Sequence, residues 1–157
     1  MEEGNLSKSN QQKSANKVTI SSFMMGSLFF VLTIIITLDP NKFSNLVIYQ
    51  LVLAIPLLYV SSLAYSKIGY WKDTEEWDAL GWFTNTLGNL FVLNAVGLVA
   101  AKFNPALAYT YFSLFSLLMI IYTSINIKHN KKLWIQKLFK LAFLLIIIIF
   151  GGFLAVS

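Results

Sequence analysis

KIGYWKDTEEWDALGWFTNTLGNLFVLNAVGLVAA, residues 67–101, decides how the rest of the chain is read. Its opening holds Lys67, Lys72, Asp73, Glu75, Glu76 and Asp78, more charge than a hydrocarbon layer accepts. From Ala79 to Ala101 there is no charge at all, over a run long enough to cross a bilayer, which needs about 20 apolar residues. The switch marks a boundary between water and membrane. Trp71, Trp77 and Trp82 gather at it, as an interfacial aromatic belt does. Asp73 or Thr74 is suited to cap the helix, with Glu76 completing a capping box with Asp73, and acid in the first turn complements the helix dipole.

Composition extends this reading to the whole chain. Of 157 residues, 57% are hydrophobic and only 12% charged, with mean hydropathy +0.66, too apolar for a soluble domain of this length. The expected fold class is an all-α integral membrane protein with five transmembrane helices. Four are expected to form a bundle with a small and polar seam, and the C-terminal helix to be peripheral. Expected spans are about 18–38, 45–66, 79–101, 106–127 and 138–156, forming a membrane domain over 18–157. Residues 1–17, rich in Ser, Asn, Gln and Lys, are expected to be a disordered cytoplasmic tail. The run from Phe23 to Leu38 is long for a signal-peptide core and leads into LDPNK without a small-residue cleavage site, so it reads as an uncleaved first span.

Two tight turns punctuate the spans, Asp39-Pro40-Asn41-Lys42 and Lys102-Phe103-Asn104-Pro105. Pro56 falls near the middle of the second span and is a candidate kink. All twelve basic residues are lysines. Ten of them (Lys8, Lys13, Lys17, Lys67, Lys72, Lys128, Lys131, Lys132, Lys137 and Lys140) fall on one side of the expected topology, against Lys42 and Lys102 on the other. The positive-inside bias then puts the N-terminus in the cytoplasm and the C-terminus outside, in a cell (plasma or inner) membrane. The same placement explains the net charge of +5 without nucleic acid as a partner.

The chain has no cysteine and one histidine, His129, in a basic loop. Thiolate metal sites, disulfides, iron–sulfur clusters and bis-histidine haem ligation within one chain are therefore excluded, and no cofactor is expected. No nucleophile elbow, phosphate loop, zinc signature or dinucleotide fingerprint occurs. No acid lies deep in a span, where charge-coupled machines place one. Asp73, Glu75, Glu76 and Asp78 crowd together, but their spacing is not that of a calcium loop, and the bland reading is a capped, solvated helix start.

The uncharged polar residues recur at helical spacing. Span one offers Thr19, Ser22, Gly26, Thr33 and Thr37; span two Gln50, Ala54, Ser61 and Ala64; span three Gly81, Asn85, Gly88 and Asn89; span four Tyr109, Ser113, Ser116 and Thr123. From these the candidate intramembrane seam is Gln50, Asn85, Asn89, Tyr109, Ser113 and Ser116. Asn94 is expected to point away from that seam, towards another subunit. Lys128, Lys131, Lys132 and Lys137, beside Leu133, Trp134 and Phe139, are candidate contacts to anionic lipid on the cytoplasmic surface.

Three functional readings follow. In the first, the protein is non-enzymatic and acts through helix packing, as a homo-oligomer or a subunit of a membrane assembly, its partners being the bilayer and other membrane proteins. In the second, the seam is wet and conducts a small neutral solute. In the third, the carboxylates at 73–78 serve a membrane enzyme acting on lipid headgroups.

Overall fold

The computed structural model describes residues 2–38, 43–68, 74–129 and 131–156, and all of its regular structure is helical. The helices are α1 (Glu2–Leu38), α2 (Asn45–Ile68), α3 (Glu75–Phe103), α4 (Pro105–His129), α5 (Trp134–Ile148) and α6 (Leu154–Val156). A 3-10 turn over Lys131–Leu133 precedes α5, and a π-helical turn over Ile149–Phe153 joins α5 to α6. Five segments are long and apolar enough to cross a membrane: Ser14–Thr37, Asn45–Ile68, Glu75–Phe103, Pro105–His129 and Lys131–Val156. The Asp39–Lys42 turn and Trp71, Lys72 and Asp73 lie outside the described residues.

The boundaries follow local chemistry. At the start of α3 the Asp78 amide donates to the Thr74 carbonyl at 2.8 Å, as a helix opening after Thr74 requires. At the start of α4 the Asn104 Oδ1 accepts the Ala106 amide at 2.9 Å, with Pro105 in the first helical position, where its missing N–H costs nothing. Asn104 also closes α3 through its own amide, which donates to the Ala100 carbonyl at 3.1 Å. A single residue thus ends one helix and caps the next.

The first helix begins at Glu2 and runs on into the first span. Its opening segment has no proline, and its Glu, Lys, Gln and Ala residues are good helix formers joined to a stable span. At the other end, α5 begins at Trp134 and runs on into the last span.

The chain divides into two compact units, Met1–Val92 and Leu93–Ser157. In the first, α2 buries Val47, Gln50, Leu51, Ala54, Leu58, Ser61, Ala64 and Tyr65. These recur every three or four residues and so line one face. From α1, Ser14, Ser21, Leu28, Leu32 and Ile35 are buried; several lie seven apart, the interval that keeps a seam facing a neighbouring helix. Gly81 and Gly88 of α3 complete the packing. A Cβ on Gly81 would lie 2.8 Å from Tyr65 Cε1, and one on Gly88 would lie 2.9 Å from Leu58 Cγ. Close approach of this kind is what holds helices together where lipid offers no hydrophobic drive to associate.

The seam expected on span one is misplaced. Thr19, Ser22, Gly26, Thr33 and Thr37 are exposed, and a Cβ on Gly26 would meet nothing within 4 Å. The threonine hydroxyls turn back on their own helix: Thr19 donates to the Ala15 carbonyl at 3.0 Å, Thr33 to Phe29 at 2.8 Å and Thr37 to Thr33 at 2.7 Å. A hydroxyl satisfied four residues back needs no neighbour.

The second unit is organised around Phe112 of α4, which is fully buried. Its ring occupies the space that a Cβ would fill at Gly97 of α3 and at Gly152 of the π-helical turn. Phe153 packs beside it, ring centroids 5.5 Å apart. Ile148 is fully buried and Gly152 is buried too. The last span therefore has one edge packed within its unit and is not simply a lipid-facing surface. Glycine pairs and π turns let a helix backbone change its line, which brings that edge against Phe112.

Candidate functional site

Polar side chains of the first unit form a ladder up one face of α1. Ser14 Oγ donates to the backbone carbonyl of Tyr65 on α2. One turn later, Lys17 Nζ lies 3.1 Å from Asp78 Oδ1 on α3 and 4.3 Å from the centroid of the Tyr65 ring. One further turn on, Ser21 Oγ donates to Asn85 Oδ1 at 3.1 Å. Ser61 of α2 adds a bond to the Gly81 carbonyl at 3.3 Å. The spacing 14, 17, 21 puts the three α1 side chains on one face. Between them they tie α1 to both α2 and α3.

These contacts differ in weight. The Lys17–Asp78 pair is about half exposed, so screening leaves it worth about 0–1 kcal/mol, and an exposed cation–π contact adds a similar amount. Ser21 is almost fully buried and Asn85 half-buried. Hydrogen bonds of this kind between helices in membranes are worth about 0.6 kcal/mol on average and up to about 1.7.

The second unit has its own polar lock. Asn94 is fully buried, and its Nδ2 donates to the Ile147 carbonyl at 3.1 Å. Ile147 belongs to the last turn of α5, where the α-helical hydrogen-bond ladder gives way to the π turn. Asn94 Oδ1 is enclosed without a hydrogen-bond partner. Asn94 is thus engaged inside the chain, not turned towards another subunit as its position in the sequence indicates. Tyr111 Oη donates to the Leu93 carbonyl at 3.1 Å, a second polar link between α3 and α4 within this unit.

Gln50 is buried on α2; Asn85 accepts from Ser21; Asn89, one turn on, is half-buried. These three belong to the first unit, whereas Tyr109, Ser113 and Ser116 belong to the second. There, Tyr109 is exposed with its ring centroid 6.2 Å from that of Phe153, Ser113 is exposed and Ser116 is half-buried. Pro56 lies on the exposed side of α2, which is assigned as one helix throughout. Lys128, Lys131 and Lys132 are exposed, while Lys137 is partly buried and donates to the Asn126 carbonyl.

Glu75 and Glu76 are exposed, and Asp78 is paired with Lys17. Among the described residues, no three or more His, Cys, Asp or Glu side chains are grouped to hold a metal ion. Comparison with protein-family models, curated proteins and solved structures finds no match to this chain. Sequence reasoning overlooked Ser14, Lys17 and Ser21. The signal was there in the seven-residue recurrence of Ser14, Ser21, Leu28 and Ile35, which marks the packed face better than hydroxyl content does.

Proposed function

We propose that this protein is a non-enzymatic, multi-pass membrane protein that acts through helix packing, as an oligomer or a subunit of a membrane assembly. Five apolar helices are compatible with a membrane protein. The observation that carries the reading is the use made of the polar groups. Ser14, Ser21, Ser61, Asn85, Asn94 and Tyr111 bond from helix to helix, as packing determinants do. The lysine bias supports a cytoplasmic N-terminus and an exoplasmic C-terminus in a plasma or inner membrane.

Cysteine placed at position 85 or 89 tests packing against conduction. The native chain has no cysteine, so labelling has no background. Under the packing reading, both positions are protected from a small aqueous thiol reagent in intact membranes. Rapid labelling at either would mean a wet path and overturn it. Native mass measurement from nanodiscs addresses assembly: a defined oligomer or a co-purifying subunit is expected, and a lone chain at every protein concentration would refute that part.

A further inference from the structure

We infer that the α4–α5 turn is a binding site for an anionic phospholipid, with Lys128, Lys131 and Lys132 holding its phosphate. This stands beside the packing role and rests only on the chain's membrane placement. The first observation is a charge imbalance. The unit Leu93–Ser157 contains Lys102, Lys128, Lys131, Lys132, Lys137 and Lys140 and no Asp or Glu. Of the acids in the other unit, Asp78 is paired with Lys17. Lys128, Lys131 and Lys132 therefore have no Asp or Glu of their own unit to face, and an acidic side-chain partner for them has to come from outside it.

The second observation separates Lys137 from the others. It turns back to the Asn126 carbonyl in the last turns of α4, where a cation complements the helix dipole. Lys137 thereby braces the turn, leaving Lys128 at the end of α4 and Lys131 and Lys132 in the 3-10 turn as exposed cations beside it, with Lys140 exposed further along α5.

The third is the surface directly following those cations. Trp134, Ile135, Leu138 and Phe139 are all exposed, Phe139 to 74%. They form pairs one helical turn apart along α5. An aromatic and aliphatic strip leading from a cluster of ammonium groups matches an amphiphile, with a phosphate at one end and acyl chains along the other. A soluble acidic protein would satisfy the charge but not the strip. Polybasic segments at the cytoplasmic leaflet gain about 1 kcal/mol per lysine from anionic lipid, roughly fivefold in affinity for each.

The test uses the full chain in nanodiscs of phosphatidylcholine mixed with phosphatidylglycerol, released for native mass spectrometry. The wild type should retain phosphatidylglycerol in preference to phosphatidylcholine. The K128Q/K131Q/K132Q variant should lose that preference, by roughly fivefold per lysine. K128R/K131R/K132R should keep it, and so should K42Q/K102Q, which removes charge elsewhere. Full retention by the triple glutamine variant, or equal loss in K42Q/K102Q, overturns the assignment. If the triple variant does not fold, salt decides on the wild type: a preference that survives high ionic strength unchanged refutes an electrostatic site.

Discussion

Ser21 and Asn85 show how one polar pair ties two helices together. In water their hydrogen bond would compete with solvent; in lipid an unpaired hydroxyl or amide has few substitutes. Yet serine can also bond to its own helix, as Ser27 does to the Phe23 carbonyl at 3.1 Å, so the loss on mutation is bounded. A double-mutant cycle with Ser21→Ala and Asn85→Leu, read by reversible unfolding in mixed micelles, should return a coupling of about 0.6–1.7 kcal/mol. Additive effects would show that the pair is adjacent but not interacting. The Lys17–Asp78 pair, although more conspicuous, should contribute less, because both groups are half in solvent.

Phe112 and the glycines around it set the tolerance of the helices to change. Leucine at Gly97 or Gly152 would put side-chain atoms inside the Phe112 ring, so the helices must separate or Phe112 must leave its site. Overpacking of this kind costs about 1–3 kcal/mol. Gly26, with open space around it, is the internal comparison. Thermal melting in one detergent should show Gly97→Leu and Gly152→Leu clearly destabilised and Gly26→Leu close to wild type; three equal melting points would contradict the packing. The same contrast shows what the sequence reveals. Five apolar runs, a helix start after Thr74 and the small-residue face of α3 are legible because each depends on local composition or helical spacing. The packed face of α1 is not, because threonine looks the same whether it bonds to a neighbour or to its own carbonyl four residues back. Nor is the partner of Asn94, a backbone carbonyl 53 residues away at a change of helix type. Lys17 is hidden too: its charge is explained at once by topology, and its partner lies 61 residues on.

The distribution of charge along the whole chain constrains it in a way that no single contact does. Ten of twelve lysines belong to three segments that alternate with two short turns carrying Lys42 and Lys102. A five-span topology puts those three segments on one side and the two turns on the other, and short loops obey such a bias. The ladder Ser14–Lys17–Ser21 is consistent with this, since Lys17 and Asp78 meet where the apolar stretches of α1 and α3 both begin. Reversing the bias should therefore disturb insertion and not merely local packing. Single cysteines at Asn104 and at Lys131 make the topology measurable in sealed cells or right-side-out vesicles. A membrane-impermeant thiol reagent should label position 104 in intact vesicles and position 131 only after permeabilisation. Replacing Lys128, Lys131, Lys132, Lys137 and Lys140 with glutamine while adding lysines beside Asn104 should drive part of the population to the opposite labelling pattern. If position 131 is labelled from outside in the unaltered background, the orientation is inverted, and the lysine-rich turn would then face the exoplasmic leaflet. The anionic-lipid site would have to be sought there, with the same three lysines and the same aromatic strip, so the two measurements check each other.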